Sequence, residues 1–145
     1  MKNQREHHEQ CVVIAWCELN KKRYPCLGRI YAIPNMGKHH VSFRIKQARE
    51  GLKKGMLDLC LPWPVVNEIE VTATNKRTKC YARSTHGLYI EMKVKPNKLS
   101  PEQKEWVKYL LDVGYEVKVA WSADEAIEII KNYIDPEEKG WINYQ

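Results

Sequence analysis

Three polar residues stand where the surrounding pattern calls for apolar ones. Asp58 interrupts "LDLCL", in which Leu57, Leu59 and Leu61 line one face while Asp58 shares the other with Cys60. In "GLYIEMKV", Leu88, Ile90, Met92 and Val94 point one way and Tyr89, Glu91 and Lys93 the other, because strand side chains alternate. Burying a carboxylate costs several kcal/mol unless something compensates it. Two carboxylates and an ammonium can together hold a divalent metal and polarise a water beside it. Oxygen ligands suit Mg2+ or Mn2+, which keep part of their water shell and bridge to phosphate oxygens. In that chemistry Lys93 orients the water or offsets charge developing on phosphate. The plainer reading is an exposed strand face carrying ion pairs, and alternation alone leaves both open.

A third carboxylate can come from the first helix. At about 100° per residue, Glu6 lies on the line of Gln10, Val13 and Cys17, the stripe directed at the core. Glu9 falls nearer the edge of that stripe, so Glu6 is preferred. A first-turn acid is also favoured by the helix macrodipole alone. His7 and His8 fall off the line and are expected at the surface or against phosphate.

The elements that must position these groups can be traced from punctuation and periodicity. Residues 3–20 read as a helix that "YPCLG" breaks, and "RIYAI" is a short strand stopped at Pro34. "NMGKHH" is a basic loop, and residues 42–54 read as a second, cation-rich helix stopped by Gly55. "LDLCL" is a compact strand ended by Pro62 and Pro64. Residues 66–85 pattern as a β-hairpin with a basic tip, and the strand 87–94 follows. Ser100, Pro101 and Gln103 combine an N-cap, a first-turn proline and the third-position partner of a capping box. That helix runs to about Val113, with Gly114 as its stop. "YEVKVAW" alternates as a strand, "SADE" opens the last helix, and residues 135–145 form a tail. The predicted order is α-β-α-β-hairpin-β-α-β-α, a mixed α/β fold in a single domain spanning residues 1–145.

Composition narrows the setting. The chain has 145 residues, long enough for a real core, and no apolar run of membrane-spanning length. "MKNQREHHEQ" has no signal-peptide apolar region, so a cytoplasmic protein is expected. Five cysteines without a C-x-x-C pattern predict reduced thiols, not a disulfide framework or a zinc knuckle. Charge is segregated. Residues 21–56 hold ten Lys or Arg and one acid, whereas residues 122–145 hold six acids and two lysines. A basic first half fits a polyanion partner, since phosphate contacts release condensed counterions.

In order, "LDL", "GLYIEMKVKPNKLSPEQKEW" and "GYEVKVAWSADEAIEIIKNYI" resemble the virus-type replication-repair nuclease (VRR-NUC) family of PD-(D/E)xK enzymes. The opening "EHHEQCVVIAWC" and the loop "YAIPNMG" do so too, so the likeness covers nearly the whole chain, and stand-alone phage and bacterial members match best. E-x-K alone is a weak signal, while the ordered set is specific. The resemblance implies a restriction-endonuclease-like mixed β-sheet flanked by helices, and phosphodiester hydrolysis with Mg2+ or Mn2+. It maps the acidic motif to Asp58, E-x-K to Glu91 and Lys93, the helix glutamine to Gln103 and the first-helix glutamate to Glu6. The Met92 carbonyl joins Glu6, Asp58 and Glu91 as a metal ligand by the same mapping. Gln103 also serves the capping box, so a purely structural role stays open.

Two departures stand out. The family usually has proline before the aspartate, where this chain has Leu57, a difference of backbone shaping. Residues 66–85 lengthen the connection from Asp58 to Glu91, as a dimer arm, a DNA-contacting hairpin or a decorated edge. The resemblance further implies DNA as substrate, branched like a Holliday junction, a homodimer, and a phage or prophage origin within a bacterial host. Backbone contacts to DNA are expected from Lys38, Arg44, Lys46, Arg49, Lys53 and Lys54, and from Lys76 and Arg77 at the hairpin tip. Trp63 and Trp106 are expected to pack, not to stack on bases. The alternative is a nucleic-acid-binding module of the same fold without catalysis. Such a module would have lost an acid or the lysine, and here all are present.

Overall fold

Alternation along Leu88–Met92 produces strand β5, which takes a partner on each edge. The computed structural model of the chain describes residues 4–35, 40–73 and 76–134. On one side of β5 lies antiparallel β2 (Leu59–Leu61), with Leu59 opposite Ile90 and Leu61 opposite Leu88. The two-residue β1 (Tyr31–Ala32) pairs with the outer edge of β2. On the other side β6 (Glu116–Ala120) runs parallel, with Glu91 level with Val119. A parallel neighbour needs a crossover, and helix α3 (Pro101–Asp112) supplies it. The result is a four-stranded mixed sheet in the order β1-β2-β5-β6.

Helices α1 (Gln4–Asn20) and α4 (Ala123–Ile134) pack together over one face of this sheet. Ala126, Ile130 and Tyr133 of α4 recur at helical spacing and meet Val13 and Cys17 of α1 above Leu59, Leu88, Ile90 and Met92. Glu9 ties the two helices at their ends, its Oε2 accepting from the first amide of α4, Ala123, at 2.6 Å. A carboxylate at a helix N-terminus satisfies an orphan donor and favours the dipole. Helix α3 lies on the opposite face, where Glu91 and Tyr89 point. Strand β5 is therefore covered on both sides, and the exposed ion-pair face is not what forms.

The predicted order of elements is observed, with two differences. "YPCLG" does more than break the first helix: Pro25–Arg29 form a 3-10 turn that buries Cys26 and Leu27. The second helix is shorter than expected. Helix α2 spans Val41–Arg49 and ends at Gly51, not Gly55. Gly51 has φ +96°, its amide bonds Ala48 O at 3.1 Å, and the Leu52 amide closes on Gln47 O at 3.0 Å. That pair of bonds is a Schellman closure, which consumes the last carbonyls and leaves nothing to propagate. Lys53 and Lys54 thus sit in the following loop. Gly55, also at positive φ (+77°), has another purpose, bringing that loop against the start of α3.

The predicted hairpin forms a two-stranded sheet of its own, β3 (Val65–Ala73) with β4 (Lys76–Thr85), bulged between Val65 and Val66. Its base is tied to the body by Tyr133, whose hydroxyl donates to Trp63 O at 2.5 Å and meets Thr85 Oγ1 at 2.8 Å. Trp63 packs against the core, as expected. The basic loop at 36–39 and the tail at 135–145 lie outside the described residues. Among the described residues no helix is long and apolar enough to cross a membrane.

Two outcomes follow from this packing. A Cβ at residue 55 would lie 2.6 Å from Glu102 Cβ and 2.9 Å from the Glu102 carbonyl carbon, whereas one at residue 51 meets nothing within 4 Å. In urea unfolding, Gly51→Ala should cost about 1 kcal/mol from backbone strain, and Gly55→Ala about 3 kcal/mol or more. Equal losses would mean that the loop does not press on α3. Burial also pushes the Cys17 thiol from its ordinary 9.0 to about 12, with the nearby Cys26 and Glu18 adding to the rise. The folded state therefore resists thiolate formation, and this contribution is complete below pH 9 and lost as pH rises from 9 towards 12. Stability measured between pH 8 and pH 11 should fall above pH 9, and Cys17→Val should flatten the slope by up to about 1.4 kcal/mol per pH unit.

Candidate active site

Asp58 enters the sheet just ahead of β2, and every polar group it has is engaged. Its amide donates to Ile90 O at 3.2 Å and its carbonyl accepts from Ile33 N at 2.8 Å, so the backbone is held from both neighbouring strands. Its side chain, fully buried, accepts from Asn35 Nδ2 on Oδ1 and from the Met92 amide on Oδ2, both at 2.9 Å. The second bond binds the aspartate to the residue between Glu91 and Lys93. In an extended strand the N–H and C=O of one residue face the same edge. The Met92 carbonyl therefore faces the Asp58 edge as well.

Glu91 is buried on the face opposite the α1–α4 layer. Its Oε1 receives Lys93 Nζ at 2.7 Å and Gln103 Nε2 at 2.5 Å. The Lys93 side chain is only 11% exposed, so this pair is screened little by water. Gln103 makes contacts at both ends of its side chain. Its Oε1 accepts from Ser100 N at 3.0 Å while Ser100 Oγ accepts from Gln103 N at 3.2 Å, a complete capping box. Its other end, the amide nitrogen, reaches Glu91. One side chain both starts α3 and fixes the acid.

The loop before Asp58 is fastened to the same helix start. Lys54 pairs with Glu102 and Trp106 Nε1 donates to Lys54 O at 3.1 Å, a packing role for Trp106. The Lys54 ammonium holds the Glu102 carboxyl below the usual carboxylate range. These contacts align two segments 33 residues apart along the chain, that of Asp58 and that of Glu91 with its partner Gln103.

Glu6 is buried, and its Oε1 accepts from Val94 N at 3.3 Å and Asn97 Nδ2 at 2.8 Å. It reaches the chain just past β5, while Glu9 is occupied at the end of α4, so Glu6 is the first-helix acid nearer the site. The expected set is nevertheless looser than the sequence suggested. Among the described residues, no three His, Cys, Asp or Glu side chains gather closely enough to hold a metal ion. Asp58 and Glu91 come together through Met92, while Glu6 bonds beyond the end of that strand, at Val94 and Asn97. His7 and His8 are exposed, with His7 Nε2 at 3.6 Å from Cys11 Sγ.

Of the expected DNA-contacting cations, Arg44, Lys46, Arg49, Lys53, Lys54 and Arg77 are exposed. Lys46 and Lys54 are engaged with Glu50 and Glu102. Lys38 and the Lys76 side chain lie outside the described residues. Two site residues escaped the sequence reading, Asn35 and Asn97. Each follows a proline beyond a strand, in "IPN" and "KPN", and that repeated pair was the available signal.

Comparison with known proteins adds the family. A sequence model of the VRR-NUC domain matches residues 2–124. A solved structure described as a VRR_NUC domain protein is 27% identical and superposes with a TM-score of 0.64, covering 92% of this chain and 91% of that one. No curated protein matches the sequence. With its mixed sheet, its flanking helices, its buried Asp58 and Glu91 and the Lys93 paired to Glu91, the chain belongs to the VRR-NUC domain family, whose function is of the nuclease type.

Proposed function

We propose that the protein is a metal-dependent, structure-specific DNA endonuclease that hydrolyses phosphodiester bonds in branched DNA such as Holliday junctions. The observation that carries this reading is the pairing, under one sheet, of the buried Asp58 and Glu91 with Lys93 on Glu91. A structural ion pair needs one acid and one base. Here two buried acids, Glu91 and an Asp58 tied to the same strand through the Met92 amide, bring together carboxylate oxygens of the kind that a divalent cation takes.

The donors fit such a cation. Mg2+ and Mn2+ take oxygen ligands, retain several waters and are commonly held by one or two carboxylates plus substrate phosphate. Asp58, Glu91 and the Met92 carbonyl would hold the ion, with Glu6 the first-helix acid that would join them. When bound, the ion supplies Lewis acidity towards phosphate and lowers the pKa of a coordinated water. Lys93 is held 2.7 Å from Glu91 Oε1, with its tip inside the site. It places a positive charge and three donors where a water and a phosphate oxygen would meet. Gln103 holds Glu91 by its other contact, so the acid keeps its orientation if Lys93 turns to substrate.

The basic half of the chain supports a DNA partner. Arg44 and Arg49 on α2, with Lys53 in the loop after it, are the favoured backbone contacts, followed by Arg77 on the hairpin. Lys46 and Lys54 would have to leave their carboxylate partners first. A homodimer would set two sites across a two-fold junction. Action in the cytoplasm of a bacterial host, from a phage or prophage gene, fits this substrate.

The test is a cleavage panel of a four-way junction, a 5′ flap, single strand and linear duplex, each with Mg2+, Mn2+ or EDTA. Wild type should cut the junction fastest and only with metal. Lys93→Ala and Asp58→Asn should each lose at least about 100-fold in rate while still binding DNA. Binding with no cutting under either metal would leave a nucleic-acid-binding module instead.

A further inference from the structure

Each of the three acids is held by a side-chain carboxamide. Asn35 Nδ2 donates to Asp58 at 2.9 Å, Asn97 Nδ2 to Glu6 at 2.8 Å, and Gln103 Nε2 to Glu91 at 2.5 Å. The amides come from three separate places: the loop after β1, the loop after β5, and the first turn of α3. Gln103 also completes the capping box of α3, and its amide nitrogen is the end left over for the acid. We propose that Asn35 and Asn97 are positioning residues of the metal site, doing for Asp58 and Glu6 what Gln103 does for Glu91. This inference rests on the nuclease reading above and extends it to residues that touch neither metal nor DNA.

The physical reason lies in the choice of donor. A buried carboxylate is compensated most strongly by a lysine or arginine, as Glu91 is by Lys93, but a cation on every acid would cancel the charge that attracts a metal. A carboxamide donates a hydrogen bond and carries no net charge. It lowers the cost of burial, fixes the side-chain rotamer and leaves the acid negative. A carboxylate has about four lone-pair positions, so one neutral donor leaves room for a cation on the same group. The backbone repeats the pattern. Asp58 also accepts from the Met92 amide, and Glu6 from the Val94 amide, both again neutral. The bonds from Val94 N and Asn97 Nδ2 to Glu6 both fall on Oε1, which orients the group while leaving Oε2 to face a ligand. Outer-shell partners of this kind commonly control metal affinity by 10- to 100-fold, so an effect of about that size is expected.

The experiment is calorimetric titration of Mn2+ into the full chain without DNA, with thermal unfolding in EDTA alongside. The proteins are wild type, Asn35→Ala, Asn97→Ala, Asn97→Ser and Asn97→Lys. The alanine variants should bind Mn2+ about tenfold or more weakly. Asn97→Ser, which retains a donor, should fall between wild type and Asn97→Ala. Asn97→Lys should unfold in EDTA no earlier than wild type and yet bind Mn2+ worst of all, because it supplies a donor together with the cancelling charge. Equal Mn2+ affinity across all five proteins, with unfolding midpoints that drop in EDTA, would show the asparagines to be scaffold and overturn the inference. So would a lysine variant that binds as well as wild type. A wild type that takes up no Mn2+ would overturn the metal reading itself, and this inference with it. If an alanine variant does not fold, the serine and lysine variants still decide the outcome.

Discussion

Two carboxylates buried beneath one sheet, within reach of a single strand, are the constraint from which most of the structure follows. Asp58 is wholly removed from solvent and Glu91 nearly so. Left alone, each would cost several kcal/mol, a large part of what a domain of this size has in hand. The fold answers with hydrogen bonds from every direction. Backbone from β5, a loop amide, the capping residue of α3 and one lysine all converge on these two groups. The positions of α3 and of the loop at Gly55 make sense as means of bringing those donors in.

That arrangement also explains why a local device carries functional weight. A capping box normally concerns only the helix that it starts. Here the glutamine has two ends, and the one left over from capping reaches across to Glu91. Helix start and acid orientation are therefore a single event, and α3 cannot shift along its axis without moving the site. The close approach that only a glycine at position 55 allows and the Lys54–Glu102 pair brace the same turn from outside.

Much of this was legible in the sequence, for identifiable reasons. Alternation in "GLYIEMKV" and "LDLCL" placed Asp58, Glu91 and Lys93 correctly on their faces, and the order of elements followed from caps and breakers. Alternation describes one strand at a time. It could not say that α3 would cover the second face, so an exposed ion-pair face remained open until Glu91 proved buried. Gly51 and Gly55 both have positive φ and both follow a cation-rich run. The helix ends at the first because its closing bonds form there, and composition does not distinguish them. Asn35 and Asn97 were missed because their partners lie 23 and 91 residues away, beyond any local pattern.

Those separations bear on how the molecule comes into being. The Glu6 anchor waits for Asn97, and the Glu9 contact that seats α1 spans 114 residues to Ala123. Contacts so distant in sequence form late, because chain-closure entropy must be overcome before they reward it. During synthesis, which proceeds from the N-terminus, Glu6 is made well before Asn97 and Glu9 well before Ala123, so each acid of the first helix waits for its own donor. Closure of the site depends, in this topology, on donors encoded far downstream of the helix that they hold.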